Sequence, residues 1–159
     1  MPRTLMLSSL CALLCASLVT HAQPPSDPLR DVYGSTTAIE TEVRSFYDAY
    51  AADLREHRRA EIAARYDPRG VFFLGHGRKT VDSFEVNRSF YHEEWTGPTS
   101  FEWRDLSVEV LSREAALVLG YFEWGTSSGD TSTVSYTGLV IKHHGAWRIR
   151  VEDESSECR

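Results

Sequence analysis

At 159 residues the chain is the size of one domain, and its 17 basic and 23 acidic residues give a formal charge of −6. An acidic surface repels phosphate backbones, so nucleic acid is not an expected partner. Three cysteines, at positions 11, 15 and 158, are too few and too badly spaced to form a disulfide framework, so the fold must be held by its core.

Residues 1–22 are set aside as a secretory leader. Arg3 is the only charge, an apolar run extends from Leu5 to Val19, and Thr20-His21-Ala22 supplies a small-residue cleavage signature before Gln23. The apolar run is shorter than the roughly 20 residues that span a bilayer, so no stable membrane span is expected after cleavage. Export to the periplasm or the medium follows. Removing the leader leaves 16 basic against 23 acidic residues, a net charge of −7. It also leaves Cys158 as the single thiol, without an intramolecular partner.

Residues 23–34 (QPPSDPLRDVYG) hold three of the six prolines and no periodicity, and read as a linker. The domain proper is expected over 35–156, with 157–159 as a tail. Thr37, with Glu40 three residues on, forms a capping box. Ile39, Val43, Phe46, Tyr47, Tyr50 and Leu54 then follow on one helical stripe. A second helix is predicted from about Arg58 to Tyr66, stopped by Asp67-Pro68-Arg69-Gly70. Val71–Leu74 reads as a short buried strand ended by Gly75 and Gly77. Thr80 reads as the cap of a third helix reaching about Glu93, with Val81, Phe84, Phe90 and Tyr91 towards the core. After Gly97-Pro98 the period becomes strand-like. Strands are expected over 99–111, 115–124, 131–142 and 147–153, joined by turns at Ser112–Glu114, Gly125–Asp130 and His143–Gly145. Successive strands with short turns make an antiparallel meander.

The passages IAARYDPRGVFFLGHGRKTVDSF (62–84), AALVLGYFEW (115–124) and GAWRIRVEDESS (145–156), in this order and spacing, resemble the nuclear-transport-factor-two-like superfamily. That group includes ketosteroid isomerase, scytalone dehydratase and SnoaL-type polyketide cyclases. The resemblance covers about residues 36–156. It implies an α+β fold in which a cone-shaped, curved antiparallel sheet wraps around three N-terminal helices. On this reading Ala116 and Gly120 leave room for a helix to cross the sheet, and the open end of the cone is an apolar ligand pocket.

Trp95, Trp103, Phe122, Trp124 and Tyr136 are the residues expected to line that pocket, against the plainer reading that aromatics dominate any small core. For acid–base chemistry a carboxylate must be held away from water. Asp153 shares strand parity with Trp147, Ile149 and Val151 and is placed at the mouth, where many similar proteins carry a His. Tyr47 and Tyr50 could supply phenols. Glu102 and Asp105 have ambiguous facing, Glu123 points outward, and Asp67 suffices as a turn cap, so no complete isomerase-like set can be assembled. The histidines lack the i, i+4 spacing of a helical metal pair, and no phosphate loop or nucleophile elbow is present, so no metal and no cofactor is expected. Asn87-Arg88-Ser89 matches a glycosylation sequon but lies inside the predicted third helix. Three functional readings stand, in this order. The first is a binding or accessory domain for a hydrophobic small molecule. The second is an isomerase, dehydratase or cyclase acting on a hydrophobic cyclic or polyketide-like substrate. The third is an assembly domain, homodimeric through the Thr131–Thr137 face of the sheet.

Overall fold

A computed structural model describes residues 36–75 and 77–156. The expected leader, the linker and the Cys158 tail lie outside these residues. Helix α1 (Thr36–Arg55) buries Ile39, Val43, Tyr47, Tyr50, Ala51 and Leu54 on one face. Each of the larger aliphatic side chains, Ile39, Val43 and Leu54, contributes about 1.5–3 kcal/mol by leaving water, and this stripe fixes the helix by tertiary packing. The helix already includes Thr36, so Thr37 lies inside the first turn, and the Glu40 carboxylate is taken by Arg44 instead of completing a capping box. The short α2 (Arg59–Ala64) is anchored by buried Ile62 and Ala63.

The next segment departs from expectation. Strand β1 (Val71–Gly75) turns directly into an antiparallel partner, β2 (Arg78–Asp82). Thr80 lies in β2 and caps nothing. The cap of α3 (Phe84–Ser89) is Ser83, whose Oγ accepts the Val86 N–H at 3.3 Å. Val81, expected in the core, is 59% exposed on this edge strand. Helix α3 runs into a π-helical turn (Phe90–Glu94), closed by the Trp95 N–H donating to the Phe90 carbonyl at 2.9 Å. The wider turn brings both Tyr91 and Trp95 to the interior.

Strands β3 (Ser100–Ser112), β4 (Ala115–Gly125), β5 (Thr131–His143) and β6 (Ala146–Ser156) form the antiparallel meander. His144 and Gly145, both at positive φ (50° and 80°), make the tight turn between the last two. β1 adds alongside β6 in parallel, so the sheet has six strands in the order β2-β1-β6-β5-β4-β3. The architecture is α+β, with a curved, unclosed sheet and the helices near the N-terminal end.

Bulges produce the curvature and set the facing of the site. One bulge in β3 lies between Arg104 and Ser107, where Asp105 takes a positive φ of 51°. Gly120 fits this bulge rather than a crossing helix: a Cβ there would lie 2.8 Å from Leu106 Cδ2 and 3.0 Å from the Asp105 carbonyl. The glycine that admits helix α1 is Gly138, where a Cβ would lie 2.5 Å from Tyr136 Oη and 2.6 Å from Tyr47 Oη. A second bulge leaves Arg150 unpaired in β6, since Leu139 pairs with Val151 while Val140 pairs with Ile149. Beyond Arg150 every side chain changes face.

Candidate functional site

The parity change at Arg150 turns Glu152 and Glu154 into the concave side of the sheet. Both line a cavity of about 480 Å³ between the sheet, helices α1 and α3, and the π-turn. Its walls are aromatic: Tyr50 from α1, Phe90, Tyr91 and Trp95 from the π-turn and its end, Phe73 from β1, Trp103 from β3 and Trp124 from β4. Its polar groups are Thr80, Asp82, Asn87, Glu152 and Glu154, and none of the lining residues is Lys, Arg or His.

Glu152 is 5% exposed, and burial pushes its carboxyl well above the ordinary carboxylate range. Glu154 beside it adds to the effect through its charge and by accepting a hydrogen bond from the Glu152 acid. Glu154 is itself raised by burial, an effect which that hydrogen bond partly offsets. The pair therefore holds a proton to higher pH than a free carboxyl does, on the Glu152 side. Gly75 lets β1 close onto this strand: a Cβ at that position would collide with the Glu154 carbonyl oxygen.

Behind Glu152 stands Tyr66, whose hydroxyl contacts Tyr50 Oη at 2.8 Å, Tyr91 Oη at 2.7 Å and both Glu152 carboxyl oxygens at 3.3 Å. A phenol has one proton to give and two lone pairs to fill. All contacts are satisfied when Tyr66 donates to Glu152 and accepts from Tyr50 and Tyr91. Burial raises all three phenols above their ordinary range, so they remain protonated donors. Tyr47 and Tyr136 form a second buried pair, Oη to Oη at 2.9 Å. The remaining polar group is less well provided for. Asn87, on α3, is 2% exposed, and among the described residues its Nδ2 has no hydrogen-bond partner.

A sequence profile for the SnoaL-like domain matches residues 43–156. The chain belongs to the SnoaL-like domain family. Solved structures agree on the fold. A nuclear-transport-factor-two-like protein of unknown function from Pseudomonas putida superposes with a TM-score of 0.66 at 18% identity, over 78% of this chain and 90% of its own. Another of unknown function, from Shewanella oneidensis, gives 0.65 at 15% identity, over 74% and 98%. A hexachlorocyclohexane dehydrochlorinase from Novosphingobium barchaimii gives 0.59 at 12% identity, over 77% and 88%. No curated protein sequence matches the chain.

Within this SnoaL-like domain the residues singled out from sequence fall in three places. Trp95, Trp103, Trp124 and Tyr50 line the cavity. Phe122, Tyr136 and Tyr47 lie behind its wall: Phe122 stacks on Phe101 at 5.2 Å, and Tyr47 and Tyr136 bond each other. Asp153 points away from the cavity, since it alternates with Glu152 and Glu154, and its carboxylate accepts the Ser155 hydroxyl at 3.2 Å. Glu123 does point outward, bound to Arg104. Asp67 is held in its turn by Arg69. Asn87 is too buried to accept a glycan. Among the described residues no group of three His, Cys, Asp or Glu side chains is placed to hold a metal, and no helix is long and apolar enough to cross a membrane. Sequence reasoning missed Glu152, Glu154, Tyr91 and Asn87. The acidic alternation Glu152-Asp153-Glu154 was a signal, because one face or the other had to receive two carboxylates.

Proposed function

We propose that this SnoaL-like domain binds a small, mostly apolar molecule in the cavity. The observation that carries the reading is an aromatic-walled cavity of about 480 Å³ lined at the sheet by buried Glu152 and half-buried Glu154. Its size falls in the usual range for small-molecule sites, and its few polar groups are of the kind that orient a ligand. The test is a titration with the neutral dye Nile red. One-to-one saturable binding that quenches emission from Trp95, Trp103 and Trp124 is expected, and uptake that never saturates would refute the reading.

A second reading, an isomerase, dehydratase or cyclase acting on a hydrophobic cyclic substrate, is favoured by the retained proton on Glu152. A carboxylic acid that holds its proton above the ordinary carboxylate range, beside phenols, can polarise a carbonyl, and its partner carboxylate can take a proton. The dehydrochlorinase shares only the fold at its 12% identity, so its activity is not transferred. Panels of β,γ-unsaturated and β-hydroxy cyclic ketones, followed by the absorbance of the conjugated enone, test this reading. Turnover lost in Glu152→Gln with Nile red binding retained would support it. Two further expectations belong to the same proposal. Export is tested by N-terminal sequencing of the protein recovered from periplasm or medium, with cleavage before Gln23 expected. Pairing of two copies through the outer sheet face, where Leu119 and Tyr121 are exposed, is tested by light scattering across concentration.

A further inference from the structure

We infer that the cavity selects guests carrying a positive charge, an alkyl- or arylammonium ion, over neutral and anionic molecules of the same shape. The inference rests on the small-molecule reading above and names its ligand class. Three carboxyl groups line the cavity, on Asp82, Glu152 and Glu154, and no lysine, arginine or histidine stands among the lining residues. A guest cation therefore supplies the counter-charge that the walls lack, whereas a carboxylate or phosphate would enter against like charge. The formal charge of −6 on the whole chain draws cations in the same direction.

The apolar walls favour the same class. Trp95 stands at 78° to Trp124 and at 61° to Tyr91, with ring centroids 6.4 and 5.6 Å away, so these rings form a box and not a parallel slot. Aromatic faces attract cations through the ring quadrupole, tryptophan most strongly, and the attraction grows as water is excluded. The hydrogen-bond donors of the lining make no opposing demand. Asn87 Nδ2 is sealed from solvent and so from a guest, and among the described residues it is the one side-chain group both sealed and unpartnered. Water can therefore serve the Thr80 hydroxyl and the indole N–H groups of Trp95 and Trp124, and none of them requires an acceptor on the guest.

An ammonium ion also competes with the proton of the Glu152–Glu154 pair. The titratable groups facing that pair are Tyr50 from α1, Tyr66 from the segment after α2, Asp82 from β2, Tyr91 from the π-turn, Tyr136 from β5 and Asp153 on the same strand. None of these is cationic. The free pair holds its proton to higher pH than an ordinary carboxyl, and a bound cation displaces it. Affinity for the cation therefore rises with pH through that window, while affinity for a neutral guest stays level.

The experiment compares three naphthalenes on the whole protein by tryptophan quenching: 2-naphthyltrimethylammonium, its neutral isostere 2-tert-butylnaphthalene, and 2-naphthoate. At pH 8 the ammonium is expected to bind about tenfold more tightly than the isostere, and naphthoate most weakly. From pH 8 down to pH 5 the ammonium should lose its advantage while the isostere binds unchanged. In the double variant Glu152→Gln, Glu154→Gln, with native-like near-ultraviolet dichroism as the check of folding, the ammonium preference and its pH dependence should both fall. The pH series on the unmodified protein decides the matter where the variant does not fold. Equal or tighter binding of the isostere at pH 8, tightest binding of naphthoate, an ammonium affinity flat with pH, or an undiminished preference in the folded variant would each overturn the inference while leaving the cavity reading standing. Saturable binding of none of the three would overturn both.

Discussion

The buried Glu152 makes a specific demand on stability. In the unfolded chain its carboxyl releases its proton around the ordinary value of 4.5, whereas in the folded protein burial and Glu154 hold that proton to higher pH. Between pH 4.5 and the folded pKa the native state therefore binds more protons than the unfolded state, so stability falls as pH rises through this window. Below it both states are protonated and the full stability is present. One retained proton gives a slope of about 1.4 kcal/mol per pH unit. Glu152→Gln keeps the shape, still donates to Glu154 and still accepts from Tyr66, but carries no titrating proton. Urea unfolding at steps from pH 5 to pH 8 should give the two proteins nearly equal stability at the acid end. The variant should then become the more stable by about 1.4 kcal/mol for each unit of pH in the window. Glu154 keeps a neutral hydrogen-bonding neighbour in the variant, so the difference between the curves reports the proton that the pair shares. Parallel curves would refute the reasoning, because they would mean that Glu152 is ionised in the folded protein and that the concave face is wetter than its burial implies.

Other consequences follow from the same contacts. Tyr66→Phe strips a shared partner from Tyr50, Tyr91 and Glu152, and should cost about 1–3 kcal/mol in urea unfolding while leaving the tryptophan near-ultraviolet dichroism native-like. Gly138→Ala drives a methyl group into the Tyr47–Tyr136 hydroxyl pair and should cost about 1–3 kcal/mol by overpacking, whereas Gly129→Ala, where nothing lies within 4 Å of a Cβ, should show only the smaller strain of its φ of 89°. Asp53→Ala removes the buried partner of Arg65 and Arg58 and should destabilise by about 3 kcal/mol, read as a drop in urea midpoint at constant slope.

What the sequence made legible were elements whose pattern repeats long enough to average out exceptions. The α1 stripe runs through 20 residues, and the last four strands each carry more than ten, so period alone placed them. The β1–β2 hairpin escaped because β2 is an edge strand exposed at four of its five residues. With almost no buried residue to alternate against, its Thr80 looked like a helix cap.

The site was hidden by a different mechanism. Alternation tells which residues of a strand share a face only while the strand stays regular, and a bulge inverts the assignment for everything beyond it. Counting by twos from Trp147 through Ile149 and Val151 leads to Asp153, and this would hold without the extra residue at Arg150. What fixes the bulge there is not in the local pattern. Arg150 is drawn aside to the Gly70 carbonyl and across the Phe72 ring, contacts made by a segment some 80 residues earlier in the chain. The Asp67–Gly70 turn, which serves in sequence only as a helix stop, thus also holds the side chain of the residue at which the facing changes. Replacing Arg150 with a residue that cannot reach Gly70 removes that contact, and the facing of Glu152 then rests on its pairing with Phe73 of β1 and Gly138 of β5.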